Sequence, residues 1–580
     1  MTGASEQDAR GRTADARGPE RAAEGDAAAD RTQARSEGRG EGPDETGAGL
    51  ARRRTGSRPD ELWRRWTGAI GTRRAEALLL LGVTLLAGLA RFWRLAHPDL
   101  VVFDETFYLK DAWSLVQQGY ESKWPEGAND SWVAGRPDGY LPDPAFIVHP
   151  PLGKLVIALG MLLFGADDPF GWRVAVAAVG TLSVAGLWLV ARTMFRSPAL
   201  ATVGAFLMAI DGHAIVTSRI AILDGVLTLF VILGVLFFLF DRRQQRAQLQ
   251  AYLAERRDGP GADGPPRVPA WGPVLWRRPW LVSAAIAFGC ASAVKWSGLW
   301  FLAVFCVASL VVDALERRRA GIPLWIDAAV LKQGPVSFLL TVPAALGVYL
   351  LSWSHWLSGS GGYFRDWAEQ PGNAWTGALA WVPLPIQSLW HYSVEAYRFH
   401  VSLQASHPYQ SPPTTWPFLI RPTAFSYVYS TSSEDPACEA DKCVEAITSL
   451  ANPIVWWAGT VAILFLFIIV WLQPQWRFGV ILAGYGAAYL PWLAQMQRQA
   501  VFQFYGIVML PFMILAILAV MRFLLGSAQS SRRRRTAGVW SVAGFCGIAL
   551  AVSIWFYPVW TGMLVSQDYW ASTHWLPGWR

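Results

Sequence analysis

The chain has 580 residues, of which 53% are hydrophobic and 16% are charged, and its formal net charge is +7. Residues 1–74 hold 28 of the 93 charged side chains, so the other 506 residues are far poorer in charge than a soluble domain, which carries about 25%. This composition excludes a soluble globular enzyme, a small disulfide scaffold and a wholly disordered chain. It predicts a membrane protein with several spanning helices and a polar N-terminal tail.

Residues 1–74 differ from the rest of the chain. They are rich in Ala, Gly, Arg, Asp and Glu and show almost no aliphatic periodicity. Such a segment cannot bury enough apolar surface to offset the entropy lost on ordering, so we predict a disordered cytoplasmic tail over 1–74. Positive charge could indicate a nucleic-acid partner, but here the Arg clusters flank apolar runs, which is typical of the cytoplasmic face of a membrane protein. We therefore expect no nucleic-acid partner.

Apolar runs divide residues 75–580 into predicted membrane spans. A spanning helix needs about 17–25 mainly apolar residues. Eleven stretches fit, the run at 280–294 being the shortest of them: near 75–95, 170–191, 199–216, 220–240, 280–294, 296–312, 336–353, 454–472, 478–494, 501–520 and 539–557. One further apolar run, 152–164, follows two prolines and is short for a span, so we predict an interfacial helix there.

The positions of Arg and Lys favour eleven spans over twelve. With the N-terminus in the cytoplasm and 152–164 in the interface, most Arg clusters face inward, whereas a twelfth span would place them outside. Eleven spans predict a multi-pass plasma-membrane protein with an extracytoplasmic C-terminus and two large outer loops, 96–169 and 354–453. The second loop contains Cys438 and Cys443, and an oxidising exterior allows a disulfide between them. Two free thiols are the alternative.

Isolated ionisable residues collect at the predicted outer face, where burial near the membrane is costly and makes each a functional candidate. They are Asp104, Glu105, His149, Lys154, Arg173, Asp211, His213, Arg219, Asp224, Lys295 and Arg498. Cations suit a phosphate, a carboxylate suits a general base, and an interfacial helix beside an apolar groove suits a lipid. The combination favours transfer of a group from a lipid-linked phosphate. A transporter, or interface residues without a catalytic role, are the alternatives.

The order of several motifs resembles that of the protein O-mannosyltransferase family. The motifs run from about residue 75 to the C-terminus: Arg91-Phe92-Trp93-Arg94, Phe103-Asp104-Glu105, His149-Pro150-Pro151-Leu152-Gly153-Lys154, Trp172-Arg173, Ser218-Arg219 with Asp224, Lys295-Trp296, His391-Tyr392, His407-Pro408-Tyr409 and Asn452-Pro453 before Trp456-Trp457. The Arg-rich and Ala-rich tail is similar to that of actinobacterial members. The resemblance implies an all-α polytopic membrane fold of GT-C type, spanning 75–580, with an extracytoplasmic active site.

The resemblance also implies a reaction. Mannose is expected to pass from polyprenyl-phosphate mannose to Ser or Thr hydroxyls of exported proteins, with inversion of the anomeric centre. By the same resemblance, Asp104 is the base and Glu105 helps to position the peptide or the sugar. The donor phosphate or sugar is assigned to Arg173, Arg219, Lys295, Arg498, His149 and Lys154, and the acceptor to His407 and Tyr409. The protein export channel is a further candidate partner.

No cofactor is expected, because cations can stabilise the leaving phosphate without a metal. A divalent ion at the acidic pair is an alternative that the sequence does not support. Eukaryotic members carry a folded sugar-binding-like domain in the second large loop, and 354–453 is too short for one. Two other functions stay open: a GT-C enzyme that modifies a lipid or a polysaccharide from the same donor, and a transporter, which predicts repeated halves that this sequence lacks.

Overall fold

A computed structural model describes residues 72–258, 269–496, 498–527 and 529–580. The predicted disordered tail falls almost entirely on residues 1–71, which lie outside the described residues. The two arginines at the end of that tail already belong to the first helix, which begins at Arg73 and is capped by the hydroxyl of Thr72, which accepts a hydrogen bond from the N–H of Ala75.

Helices make up most of the described chain. In chain order they are α1 Arg73–Phe92, α2 Glu105–Gln118, α3 Ala128–Val133, α4 Leu152–Phe164, α5 Pro169–Phe195, α6 Pro198–Ala209, α7 Gly212–Val216, α8 Leu223–Asp258, α9 Pro279–Val294, α10 Gly298–Arg319, α11 Trp325–Ser352, α12 Ser354–Ser358, α13 Leu384–Ser402, α14 Pro453–Leu472, α15 Trp476–Ala494, α16 Leu510–Leu525, α17 Arg532–Thr561 and α18 Gln567–Ser572. Short 3-10 turns include Pro413–Phe418 and Gln503–Met509, the latter running directly into α16.

Each of the eleven predicted spans contains a helix, so the helical membrane architecture is confirmed. Within the described ranges, eight helices are long and apolar enough to cross a membrane: α1, α5, α8, α10, α11, α14, Gln503–Leu525 and α17. Among the other predicted spans, α6 and α9 are apolar but have only 12 and 16 residues. The helix α15 has 19 residues but is not among the helices that are apolar enough to cross a membrane. The interfacial run forms a 13-residue helix, α4. The count of eleven stays a prediction.

A small sheet is added to the helices, which the hydropathy pattern did not predict. Its strands are β1 Thr423–Thr431, β2 Lys442–Ser449 and β3 Leu564–Ser566, in the order β1-β2-β3 and antiparallel. The first two strands form a hairpin in the second large loop, and β3 follows the last long helix. The second loop and the C-terminal segment therefore lie on the same side of the molecule.

The most buried helices position the site. The apolar stretches of α8 and Gln503–Leu525 are 78% buried, whereas those of α1 and α17 are 17% buried. The helix α8 packs against α5, α9 and α10, so residues at its N-terminal end lie in the middle of one end of the bundle. Near the middle of α8, Asp241 accepts hydrogen bonds of 2.5 and 3.1 Å from Arg278, which also donates to Asp313 at 2.7 Å. This buried cluster fixes α8, α9 and α10 relative to one another.

Candidate active site

A buried ion pair holds the chain between α1 and α2. The Nε and Nη2 atoms of Arg173, in the first turns of α5, donate to the two carboxylate oxygens of Glu105, each at 2.9 Å. The remaining guanidinium N–H groups donate to the carbonyl oxygens of Leu95, Pro98 and Leu100. Both charged side chains are almost fully buried. Arg173 therefore ties α5 to the segment that leads into Asp104.

Both carboxylate oxygens of Glu105 accept hydrogen bonds from groups inside the protein. Besides the two bonds from Arg173, it accepts the backbone N–H groups of Val102 and Ala221, both at 2.9 Å. A buried charge needs this degree of pairing, since leaving it uncompensated costs several kcal/mol. The placement does not fit direct contact with a peptide or a sugar. Glu105 and Arg173 instead fix the backbone beside Asp104.

Asp104 precedes this pair and caps no backbone N–H of α2 with its side chain. No described residue donates a hydrogen bond to its carboxylate. Burial raises the pKa of that carboxyl from 3.8 to about 6, an effect opposed by Lys295 and reinforced by Asp224. Phe103 before it has a φ of 50°, in the left-handed region that bulky residues rarely adopt. A partly buried carboxylate with unused oxygens and a pKa near neutrality is suited to accept a proton.

Lys295 and Asp224 form a second ion pair near Asp104, with Nζ 2.7 Å from Oδ2. Asp224 lies in the first turn of α8, and Lys295 directly follows α9, where that helix ends. The Lys295 ammonium also lies 4.7 Å from the ring centre of Tyr505. Because an ammonium has three N–H donors and Asp224 takes one, Lys295 keeps donors for an anion.

A cavity of about 440 Å³ opens beside this ion pair. Its polar end is formed by His149, Asp224, Lys295, His400, Gln495, Arg498 and Tyr505. Its other part is apolar and lies between α10 and α15, where it is lined by Leu299, Trp300, Ala303, Ala487, Ala488 and Pro491. Leu299 and Trp300 are also about half exposed on the outside of the bundle. A polar end continued by an apolar groove that reaches the membrane-facing surface fits a lipid with a charged headgroup.

The guanidinium of Arg498, at the polar end of this cavity, has no hydrogen bond or ion pair with the described part of the chain and is called the unused cation below. Its Nε is buried without a hydrogen-bond partner there, and the guanidinium carbon lies 5.9 Å from the ring centre of Trp492. Nearby, the rings of His149 and His400 are 5.5 Å apart. Burial, with help from neighbouring cations, lowers the pKa of both imidazoles, that of His400 to about 4. Nε2 of His400 lies 3.4 Å from the carbonyl oxygen of Val148, while its Nδ1 has no partner among the described residues and can accept a hydrogen bond from a sugar hydroxyl.

Lys154, predicted as a donor ligand, is fully buried in α4 and does not line the cavity. Its ammonium donates to the carboxylate of Glu121 and to the carbonyl oxygen of His149, the latter at 3.1 Å. Asp111 lies close to the same group: burial raises the pKa of its carboxyl to about 7, against the lowering effect of Lys154. Lys154 therefore anchors α4 rather than facing a phosphate.

Arg219, also predicted as a donor ligand, is committed to the end of α1. Its guanidinium donates to the carbonyl oxygens of Arg91 at 2.8 Å, Trp93 at 2.6 Å and Arg94 at 3.1 Å. Arg91 and Trp93 are at the C-terminal end of α1, where a helix leaves carbonyl oxygens without partners, and Arg94 follows that end. Arg219 and Arg173 thus clamp successive parts of the α1–α2 connection, and neither fits the predicted role of phosphate ligand.

The predicted acceptor residues do not line the cavity, and His407 contacts Phe103, the residue before Asp104. The backbone N–H of Tyr409 donates to Nδ1 of His407 at 3.1 Å. The His407 ring packs edge-on against Phe103, at 5.9 Å between ring centres, and against Phe502, at 5.0 Å. Phe103, His407 and Phe502 thus form an aromatic wall next to Asp104 in the chain, and Asp104, which does not itself line the cavity, is influenced electrostatically by Lys295 and Asp224.

Cys438 and Cys443 are joined by a disulfide within the β1–β2 hairpin. In the ranges that the structure describes, His, Cys, Asp and Glu form no group of three that could hold a metal ion. In the acidic pair, both Glu105 oxygens are already taken by Arg173.

Four residues at the polar end of the cavity have no role predicted from the sequence: Asp224, His400, Gln495 and Tyr505. Asp224 was noticed in the outer group but given no role, although its place in a matched motif was a usable signal. His400 and Tyr505 gave no comparable signal, because they come from the ends of an amphipathic helix and an aromatic stretch whose neighbours are set only by folding.

Two families match the chain. The family described as dolichyl-phosphate-mannose-protein mannosyltransferase matches residues 148–254. The family described as the C-terminal four TMM region of protein-O-mannosyltransferase matches residues 385–579. Both matches include residues that line the cavity, such as His149, Asp224 and Arg498.

Full-length relatives and a solved structure agree with these matches. The chain is 33% identical to a polyprenol-phosphate-mannose–protein mannosyltransferase of Mycolicibacterium smegmatis, over 86% of this chain and 92% of the relative. The protein of that name from Mycobacterium tuberculosis is 32% identical, with 86% and 91% covered. The Saccharomyces cerevisiae protein O-mannosyltransferase Pmt1-Pmt2 complex bound to the sugar donor shares the fold, with a TM-score of 0.64 at 16% identity, over 90% of this chain and 94% of that one.

Proposed function

The chain belongs to the polyprenol-phosphate-mannose–protein mannosyltransferase family and is a membrane glycosyltransferase that transfers mannose to proteins, and we propose how its site performs that transfer. The donor is polyprenyl-phosphate mannose, and the acceptors are Ser and Thr hydroxyls of exported proteins. The reaction takes place at the extracytoplasmic face and inverts the anomeric centre.

The cavity supports this donor. Its polar end offers the unused guanidinium of Arg498 and the remaining donors of Lys295 to a phosphate, and its apolar groove between α10 and α15 offers a path for the polyprenyl chain. When the bond from the anomeric carbon to the phosphate oxygen breaks, the phosphate gains a negative charge. Fixed cations therefore stabilise the transition state more than the ground state, which is what accelerates the reaction.

Asp104 is the proposed base. The acceptor hydroxyl oxygen attacks the anomeric carbon from the face opposite the phosphate, the carbon–phosphate-oxygen bond breaks, and the hydroxyl proton passes to a carboxylate oxygen of Asp104. The products are the mannosylated side chain and polyprenyl phosphate. The observation that carries the proposal is the environment of Asp104: its carboxylate has no hydrogen bond from the described residues, Lys295 of the cavity acts on it electrostatically, and Phe103 before it packs against His407.

The position of the C-terminal segment beside the second loop supports a proposed membrane topology and a proposed partner. The strand β3 pairs with β2, and Nε1 of Trp579 donates to the carbonyl oxygen of Leu419, so the C-terminal segment lies with the second loop, which contributes to the aromatic wall. We place both outside the plasma membrane and the N-terminus in the cytoplasm. Because exported chains would meet this face as they emerge, the protein export channel is a proposed partner.

The proposal is tested by incubating purified protein with polyprenyl-phosphate mannose and an exported Ser/Thr-rich peptide. We expect a gain of one hexose on a Ser or Thr, with an anomeric configuration opposite to that of the donor. Polyprenyl phosphate without mannose is the control. Transfer only to a lipid or a polysaccharide, or a product with retained configuration, would contradict the proposal.

A further inference from the structure

The hairpin in the second loop has one open edge. In the sheet order β1-β2-β3, β1 pairs with β2 on one side, and the other side faces no strand of the described sheet. The N–H of Ser432 donates to the carbonyl oxygen of Asp441, which marks their pair as a hydrogen-bonded one. Hydrogen-bonded and non-bonded pairs alternate along an antiparallel ladder. In this register, Tyr427 and Tyr429 direct their N–H and C=O groups away from β2.

These outward groups have no other partner in the ranges that the structure describes. No hydrogen bond joins the backbone of Tyr427 or Tyr429 to an element outside the hairpin. The side chains of Tyr427, Val428 and Tyr429 are between 43% and 47% exposed. An exposed edge of this kind templates pairing with another chain, and proteins usually protect such edges with a charge, a proline or a covering loop. None of these three residues is charged or proline.

The open edge leads to the proposed base. Phe425, near the start of β1, stacks on Phe103 with ring centres 4.7 Å apart, and Phe103 directly precedes Asp104. Since a strand rises about 3.4 Å per residue, the outward groups of Tyr427 and Tyr429 lie roughly 7 and 14 Å along β1 from Phe425. A segment paired along this edge therefore runs toward Phe425 and Phe103, the residue before Asp104.

We propose that an extended segment of the acceptor polypeptide adds to the sheet as a further strand along the outer edge of β1, which delivers its Ser or Thr to Asp104. This inference rests on the proposed function, in which the acceptor is a protein. Backbone pairing reads main-chain groups and not side chains, so it accepts many sequences, provided that the segment is unfolded. The aromatic wall of His407 and Phe103 then receives the residue to be modified.

A proline substitution can remove this edge pairing without breaking the hydrogen bonds between β1 and β2. In Tyr429→Pro the outward N–H is lost, while the ladder to β2 keeps its bonds because position 429 is not in a hydrogen-bonded pair. The matched control is Tyr429→Ala, which also lacks the ring but keeps the N–H. The two acceptors are a peptide of about ten residues, long enough to pair along β1, and a Ser/Thr tripeptide that is too short. We expect the long-to-short ratio of kcat/KM in Tyr429→Pro to be about 2–10-fold below that of Tyr429→Ala, as the loss of one hydrogen bond predicts.

Equal ratios in the two variants would overturn the proposal. As a measurement that does not depend on folding of a variant, wild-type protein is photolysed with the long peptide carrying a diazirine residue on either side of its Thr. Crosslinks to residues 425–431 are expected, and crosslinks confined to other segments would overturn the edge site. Failure of the proposed function looks different, because wild-type protein would then transfer mannose to neither peptide.

Discussion

The guanidinium of Arg173 and the carboxylate of Glu105 meet through two hydrogen bonds of 2.9 Å inside the protein, where neither group reaches the cavity. The pair connects α5 to the start of α2 and so fixes the backbone on which Asp104 stands. In the motif Asp104-Glu105, the two adjacent carboxylates thus differ: that of Glu105 is paired inside the protein, and that of Asp104 has no hydrogen bond from the described residues.

Removing one charge of this pair should destabilise the fold. Glu105→Gln leaves the Arg173 guanidinium buried without a counter-ion, which costs about 3–5 kcal/mol. Glu76→Gln is the matched control, because Glu76 pairs with Arg192 at 2.8 Å but both side chains are partly exposed, and such a pair contributes about 1 kcal/mol or less. The unfolding temperature of detergent-purified protein should fall strongly in Glu105→Gln and little in Glu76→Gln. Similar decreases in both variants would contradict the structural role of Glu105.

Replacing Asp104 by a neutral residue should stabilise the fold, whereas the same kind of change at Glu105 should destabilise it. The pKa of its carboxyl rises from 3.8 in the unfolded chain to about 6 in the folded protein, mainly through burial, so the ionised carboxylate is less stable in the fold. This destabilisation is absent below about pH 4, grows through pH 6 and is complete above it, where it reaches up to about 3 kcal/mol. Asp104→Asn should therefore unfold at a higher temperature than wild type at pH 8, and the difference should vanish near pH 4. A lower unfolding temperature at pH 8 would contradict this prediction.

Loss of the unused cation should weaken donor recognition without weakening the fold. Arg498→Gln removes charge-assisted hydrogen bonds to the donor phosphate, which are each worth about 1.5–3 kcal/mol, so kcat/KM for polyprenyl-phosphate mannose should fall about 10–100-fold. Arg398→Gln is the control, since Arg398 is exposed and, among the residues that the structure describes, forms its ion pair with Glu395 on the surface of α13. Equal kinetics in the two variants would remove Arg498 from the site. Thermal unfolding should be unchanged in both.

The hairpin disulfide predicts a thiol count. Cys290, Cys306 and Cys546 are free, and Cys438 is bonded to Cys443, so denatured protein should react with an alkylating reagent at three thiols before reduction and at five after it. Intact-mass measurement reads both numbers. Five reactive thiols before reduction would show that the disulfide does not form in the β1–β2 hairpin.

The sequence predicted the helices well, because membrane spans need long apolar runs and hydropathy detects them directly. It did not predict the sheet, because β1 has only nine residues and because β3, which pairs with β2, lies more than a hundred residues further along the chain. It assigned Arg173, Arg219 and Lys154 to a phosphate because their type and approximate depth fitted one. What separates them from Arg498 is the set of groups around each side chain, such as the Leu95 carbonyl 78 residues from Arg173, and that set exists only after folding.

Mannose transfer by Asp104→Asn protein, measured beside wild type from pH 5 to pH 8 with polyprenyl-phosphate mannose and a Ser/Thr peptide, tests the role of Asp104 most directly. Wild-type kcat/KM should fall tenfold per pH unit below about pH 6, where the carboxyl becomes protonated and can no longer accept the hydroxyl proton. The variant, folded and able to bind the donor, should lose at least about 100-fold in rate and show no such pH dependence. Transfer at the wild-type rate in folded Asp104→Asn protein would show that Asp104 is not the base.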